Sequence, residues 1–587
     1  MRSRRKATVK GLVLGAVLAG LASLVNAGPV HAAPCDPPVT NPIACENTKP
    51  GSPASQWDIS GSGSSSIQGF ATDISVDQGG TVHFKVKTSA KSYRLDVYRM
   101  GYYGGSGARQ VASVTPSAKL PQSQPACLSD SSTGLVDCGN WAESASWAVP
   151  ADAVSGIYFA KLVRTDGTTG SSHIVFVVRD DSSHSDLLFQ TSDTTWQAYN
   201  QYGGNSLYVG SPDGRAYKVS YNRPFTTRGT GPEVFVFNAE YPMVRWLESN
   251  GYDVSYFTGV DSDRRGSLIQ QHRVFLSVGH DEYWSGGQRA NVEAARAAGV
   301  NLAFFSGNEV FWKTRWEPSI DSSHTAHRTL VSYKETHANQ VIDPADPPTW
   351  TGTWRDPRFS PPADGGRPEN ALSGTIFTVN CCTYAIEVPA ADGKMRLWRD
   401  TDIASQAAGG TVTLPTGTLG YEWDEDLDNG ARPAGVVRMS STTVSGVDLL
   451  QDYAWSRSRD TDDLAIDYRY DGARSRLRLE ADAHTWFEGS SWEWMDLAAA
   501  IGGGRRTVDV LYDVGSRGEL AGEIRVGGQR AVILAGYDGA PTFRAAGGAS
   551  FTPSELDALA GIMERIGDVL VLAEWLFVPS ALLSSSG

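Results

Sequence analysis

The stretch Arg273-Val274-Phe275-Leu276-Ser277-Val278-Gly279-His280-Asp281-Glu282-Tyr283-Trp284 decides the architecture. Its first half is a nearly unbroken apolar run, the pattern of a strand buried on both faces of a parallel sheet. Gly287 to Ala298 then reads as an Ala-rich helix stopped by Gly299, and Val300 to Phe305 as the next buried strand. Upstream, Leu187-Leu188-Phe189-Gln190 is a short apolar strand. Pro242 opens a helix with Met243, Val244, Trp246 and Leu247 on one face and Gly251 as its stop, and Tyr252 to Phe257 is a further strand. Strands alternating with helices make a parallel sheet covered on both faces, so an α/β domain is expected at 183–455.

The second half of the quoted stretch is polar where burial ought to continue. In open α/β sheets, sites form beyond the carboxyl ends of the strands. One strand runs into His280, Asp281 and Glu282, the next into Ser306-Gly307-Asn308-Glu309-Val310-Phe311-Trp312. The first runs into Thr195-Trp196-Gln197-Ala198-Tyr199-Asn200 and then Ser206-Leu207-Tyr208. Three exits therefore bring His, Glu, Asn and Tyr to one rim, the groups that acid–base and metal chemistry require. Extended geometry turns Asp281 away from its two neighbours, which gives it a structural role. Trp196, Trp284, Phe311 and Trp312 either wall a small apolar pocket or simply pack the core.

Working outward, residues 67–182 read as all-β. Thr81-Val82-His83-Phe84-Lys85-Val86 and Tyr93-Arg94-Leu95-Asp96-Val97-Tyr98 alternate apolar and polar. Short strands between Gly/Ser turns suggest an immunoglobulin-like β-sandwich that binds a polymer or braces its neighbour. Residues 33–66, rich in Pro, Ser and Gly, read as a linker. The first 32 residues have a cationic start (Arg2, Arg4, Arg5, Lys6, Lys10), an apolar run from Gly11 to Val25 and a small-residue site ending Val30-His31-Ala32, the layout of a signal peptide. A soluble, secreted mature protein is expected, with no membrane association. Residues 456–587 form a divergent C-terminal region that mixes charged strands with a helix expected from Ser554 to Ile566.

Composition sets the outer bounds. At 587 residues the chain is too long for one core, and with 17 Trp, 22 Tyr and 19 Phe it is no disordered or collagenous chain. The net charge of −14 argues against nucleic acid as a main partner. Six cysteines suit export: Cys35 with Cys45 and Cys127 with Cys138 can close short loops, whereas Cys381 and Cys382 are adjacent and pair only under strain. No G-x-S-x-G, H-E-x-x-H, Walker or G-x-G-x-x-G pattern is present. The run Asp424-Glu425-Asp426-Leu427-Asp428-Asn429-Gly430 has its Gly one place late for a calcium loop and reads as a solvated turn.

TWQAYN…SLY…YNRPF, SVGHDEYW, FFSGNEVFW and GYEWDED together resemble the large (beta) subunit of N,N-dimethylformamidase, chiefly its C-terminal domain. The resemblance runs from about Ile67 to Gln451. It implies a glutamine-amidotransferase-like parallel-sheet α/β domain behind the sandwich, and a mononuclear iron (Fe3+) held by two tyrosines and a glutamate. By motif these metal ligands fall on Tyr199, Tyr208 and Glu282, with Tyr202 and Tyr241 as alternative tyrosines. His280, Asn308 and Glu422 match the family's catalytic residues. The implied substrate is a small amide, and oligomeric state or a small accessory subunit stays open. Phenolate and carboxylate oxygens are hard donors that suit Fe(III).

The leading expectation is therefore a multidomain α/β plus all-β protein that hydrolyses a C–N amide bond with metal assistance. Two rivals stand beside it. One is a non-catalytic extracellular protein that binds glycan or cell wall through the sandwich and aromatic loops. The other is a metal-free glycoside hydrolase pairing Glu282 with Glu309 or Glu422.

Overall fold

In the strand Thr81–Thr88 every second side chain is buried. Val82, Phe84 and Val86 meet Leu95, Val97, Ala160, Leu162 and Phe176 in one apolar core. The computed structural model of the chain describes residues 34–359, 366–379, 382–420, 422–427 and 429–444 with their side chains, and the backbone of six strands between 465 and 545. Two sheets face each other across that core. One has three strands (Ile67–Ala71, Thr81–Thr88, Ala145–Ala148) and the other five, from Ser75–Asp77 through Ser171–Arg179, Gly156–Arg164 and Tyr93–Met100 to Ala108–Val114.

Behind the five-stranded sheet lies a four-stranded one, parallel throughout. Its strands are β1 (Leu187–Thr191), β2 (Val254–Thr258), β3 (Val274–Val278) and β4 (Asn301–Phe305), in the order β2-β1-β3-β4. Three helices matter for the site: α1 (Asp193–Ala198) after β1, α2 (Tyr241–Ser249) before β2, and α3 (Gly286–Ala297) between β3 and β4. Leu188 and Phe275 face a cluster with Val292 and Ala295 of α3. Their neighbours Phe189 and Leu276 face Val244 and Leu247 of α2 together with Ile157, Phe159, Val175 and Val177 of the five-stranded sheet. Both faces of β1 and β3 are thus apolar, which is why these strands lack alternation. The five-stranded sheet is buried on both sides too: Val97 lies in the sandwich core and Tyr98 in the layer shared with the parallel sheet.

Among the described residues the chain is mostly β-sheet, with few helices. On the α2 face, Val244 and Leu247 are buried as expected, but Trp246 is 52% exposed and stacks on Tyr252 at 5.3 Å. Residues 34–66 do more than link. They carry short helices at Pro42–Glu46 and Ala54–Trp57, and bury Trp57 against Phe159, Phe237 and Tyr241. Burying a large apolar side chain this way stabilises by about 1.5–3 kcal/mol. The disulfides Cys35–Cys45 and Cys127–Cys138 close both short loops, and Cys382 is disulfide-bonded as well.

The six later strands, Ala465–Tyr470 to Ala540–Ala545, form an antiparallel sheet whose spatial order follows the sequence. The signal peptide expected at 1–32 and the helix expected from Ser554 to Ile566 lie outside the described residues. Among the described residues, no helix is long and apolar enough to cross a membrane.

Candidate active site

The order β2-β1-β3-β4 reverses direction at β1 and β3, so the crevice beyond their carboxyl ends is where a site is expected. Tyr199 and Tyr208 follow β1, and His280 to Glu282 follow β3. After β1, α1 carries Tyr199 at its C-terminal cap. The Leu207 amide donates back to the Ala198 carbonyl at 2.9 Å, reversing the chain. This lays the Tyr208 ring against Tyr199, with centroids 4.1 Å apart. A nine-residue separation thus gives direct contact.

After β3, Gly279 takes φ +100°, and a Cβ there would meet Ser192 Oγ at 2.6 Å and Glu240 Oε1 at 2.8 Å. Glycine lets this exit pass close beneath the start of α1. His280 and Glu282 then face the tyrosines. The Tyr208 hydroxyl lies 2.9 and 2.8 Å from the two Glu282 oxygens and accepts from the Tyr283 hydroxyl at 2.6 Å. The Tyr208 residue is 37% exposed overall, yet its hydroxyl is enclosed by these partners. Burial, and then the charge of Glu282, push that phenol well above its ordinary range. Asp281 turns inward, accepting from Gln190 Nε2 at 2.5 Å and Ser277 Oγ at 2.7 Å, in the structural role its position implied.

His280 Nδ1 meets the Gly307 carbonyl at 3.1 Å, so that nitrogen carries a proton. Its Nε2 lies 2.8 Å from Glu422 Oε2 and 3.4 Å from Glu282 Oε2. These are ion-pair distances without hydrogen-bond alignment. Burial alone would lower the imidazole, but Glu422 and Glu282 outweigh it and hold it well above its ordinary value. Burial would likewise raise Glu422, and His280 reverses this, holding the carboxyl below its ordinary range. Asn308, with φ +52°, donates Nδ2–H to Glu422 Oε2 at 3.0 Å, while its buried Oδ1 has no partner among the described residues. The ligand atoms of His280, Glu282 and Glu422 lie within 4.8 Å of one another, a spacing that one ion can bridge.

The six residues singled out from the sequence, Tyr199, Tyr208, His280, Glu282, Asn308 and Glu422, form one linked cluster. The alternative tyrosines do not join it: Tyr202 packs on Trp141, and Tyr241 on Trp57 and Phe237. Trp196, Trp284, Phe311 and Trp312 are core residues, each at most 4% exposed.

Two residues escaped the sequence reading. Lys334, in a left-handed conformation, is buried with Nζ 3.7 Å from the Tyr208 ring centre, 4.8 Å from Trp312 and 5.2 Å from Tyr283. Burial brings its ammonium down to about 7 against the opposing pull of Glu282. A lone lysine between loops carries no pattern that would flag it. Asp424 is the other. Its acid-rich run is no solvated turn at this point, because Trp423–Glu425 pairs with Ile376–Val379 and Asp424 accepts the Asn308 amide at 2.9 Å.

Residues 94–499 match the family described as N,N-dimethylformamidase beta subunit-like, C-terminal. The chain belongs to this family. The match covers the whole of the site cluster, so the dimethylformamidase-like family and the strand-exit geometry meet on the same residues. No curated protein matches. Among solved structures, a cycloisomaltooligosaccharide glucanotransferase of Paenibacillus sp. complexed with cycloisomaltoheptaose aligns at 9% identity and a TM-score of 0.12. That alignment covers 47% of this chain and 35% of that one, and carries no argument about fold or function.

Proposed function

We propose that this chain is a secreted, iron-dependent hydrolase of a C–N amide bond, with the sandwich as an immunoglobulin-like brace and the parallel sheet as a glutamine-amidotransferase-like catalytic domain. Tyr199, Tyr208 and Glu282 are the iron ligands in this reading. The observation that carries it is the Tyr208 hydroxyl set 2.8–2.9 Å from both oxygens of Glu282, with the Tyr199 ring tilted against the same ring. Two hard oxygen donors in contact share one exchangeable proton. A cation takes the place of such a proton, because ligand oxygens bind metal in their deprotonated forms. Bound there, ferric iron supplies Lewis-acid polarisation of an amide carbonyl and acidifies water.

The other residues handle orientation and protons. In this reading His280, held between Glu422 and the Gly307 carbonyl, passes a proton to the leaving amine, with Glu422 as its counter-ion. Asn308 holds Glu422 through Nδ2 and offers Oδ1 as an acceptor to a substrate N–H or to water. Lys334 covers a face of the Tyr208 ring. The substrate is a small amide; a nucleic acid partner is at odds with a net charge of −14.

Metal analysis of the purified protein tests the proposal. One iron per chain and a visible tyrosinate-to-iron absorption band are expected. Tyr208→Phe should bleach or shift the band, and Glu282→Gln should reduce iron to background. Wild-type protein that takes up no iron and shows no band overturns the assignment.

A further inference from the structure

Glu309 is buried, with its residue 2% exposed, and takes no part in the chemistry above. Its carboxyl lies beside that of Asp424, and its Oε2 has no donor among the described residues. Two carboxyl groups side by side, one of them fully buried, do not both ionise, so a proton lies between them. Burial, and then Asp424, push Glu309 well above its ordinary range, and burial raises Asp424 to about 6.

The pair is sewn to the site on both sides. Asp424 Oδ1 accepts the backbone N–H of Asn308 at 2.9 Å, and Oδ2 accepts from Thr375 Oγ1 at 3.3 Å. Gly307 sits so close to the second segment that a Cβ on it would meet the Glu422 carbonyl at 2.1 Å. Asn308 and Glu422 both hold left-handed backbone, at φ +52° and +54°. Such backbone costs of order 1–3 kcal/mol per residue and persists only where the surroundings over-determine it. The contacts between residues 307–309 and 422–424 are what hold both residues there.

We propose that Glu309 is a positioning residue: its carboxyl, paired with Asp424, locks the Asn308 turn to the Glu422–Asp424 segment and so sets the Asn308–Glu422–His280 geometry. This rests on the amide-hydrolase reading for its kinetic consequence, but the lock itself is a statement about structure. It also removes Glu309 from any role as a partner acid to Glu282, since its carboxyl is committed to Asp424.

The test uses the full mature chain with N,N-dimethylformamide as probe. Glu309→Gln keeps a donor toward Asp424 and should stay within about threefold of wild-type kcat. Glu309→Ala removes the partner and should lower kcat by about tenfold or more, because displacements of about an ångström around a reacting centre cost that much. KM and iron content should stay near wild type. In an Asn308→Ala background the Glu309→Ala loss should largely vanish, since both changes act through one contact. Equal activity in the alanine variant and wild type, or equal loss in both Glu309 variants, overturns the proposal. If wild type binds no iron and hydrolyses nothing, the hydrolase reading has failed instead. The crystal structure of Glu309→Ala then decides the lock: an Asn308 that leaves left-handed backbone and parts from Glu422 supports it, and an unmoved Asn308 overturns it. Should the alanine variant not fold, Asp424→Asn is compared with Asp424→Ala by the same measures.

Discussion

Glu240 shows how far burial alone moves one acid, and how that reaches the site. Fully buried, it accepts hydrogen bonds from Ser192 N at 2.9 Å, Ser192 Oγ at 2.5 Å and Trp196 Nε1 at 2.9 Å, anchoring the start of the helix that ends in Tyr199. Desolvation lifts its carboxyl from 4.5 to about 8 against these donors. Below the lower value, folded and unfolded chains both carry the proton. Between the two values the unfolded chain has lost it and the folded chain keeps it, so stability falls as pH rises through this window and levels off above it. The total is on the order of 4–5 kcal/mol. Glu240→Gln keeps the acceptor and removes the titration. Its stability should therefore fall less than that of wild type between pH 5 and pH 8, as read from urea unfolding. Parallel pH profiles would show that Glu240 is ionised in the folded chain.

At the scale of elements, Gly279 is where β3 hands its strand direction to the site. Alanine there meets both a left-handed φ and contacts of 2.6 and 2.8 Å with Ser192 and Glu240. Gly279→Ala should destabilise by about 2 kcal/mol or more, measured as a lower denaturant midpoint with unchanged slope. A midpoint equal to wild type would mean the exit adjusts freely. The strands themselves are readable in the sequence because two-sided burial leaves β1 and β3 without alternation, and the rim is readable because His280 and Glu282 follow a buried strand. Other features depend on partners far along the chain. The contact between Tyr199 and Tyr208 comes from the chain reversal at Leu207. Lys334 is buried by rings from three separate segments, and Asp424 is acidic in an acidic run until the Asn308 turn covers it. Trp246 fits the apolar face of α2 by period and is nevertheless drawn outward onto Tyr252.

For the whole molecule, the sandwich and the parallel sheet share a layer, and Arg99 pins it. Arg99 belongs to the five-stranded sheet, is fully buried, and donates Nη1 and Nη2 to the two oxygens of Glu248 on α2 at 3.0 and 2.8 Å. Tyr256 of β2 and Asn47 of the N-terminal segment also donate to Glu248, at 2.9 and 2.8 Å. Three parts of the chain therefore meet on one carboxylate. Burial works against the Arg99 charge, and Glu248 more than restores it. Removing one partner leaves a cation stranded in an apolar layer. Glu248→Ala should cost about 3–5 kcal/mol, more than an exposed ion pair ever contributes. Replacing both partners by apolar residues, Arg99→Met with Glu248→Leu, should recover much of that loss, because the penalty lies in the stranded charge and not in the missing attraction. Calorimetry of the three proteins separates the cases. A double variant as unstable as Glu248→Ala would show that the pair itself, with the hydroxyl and amide it gathers, is what joins the two layers.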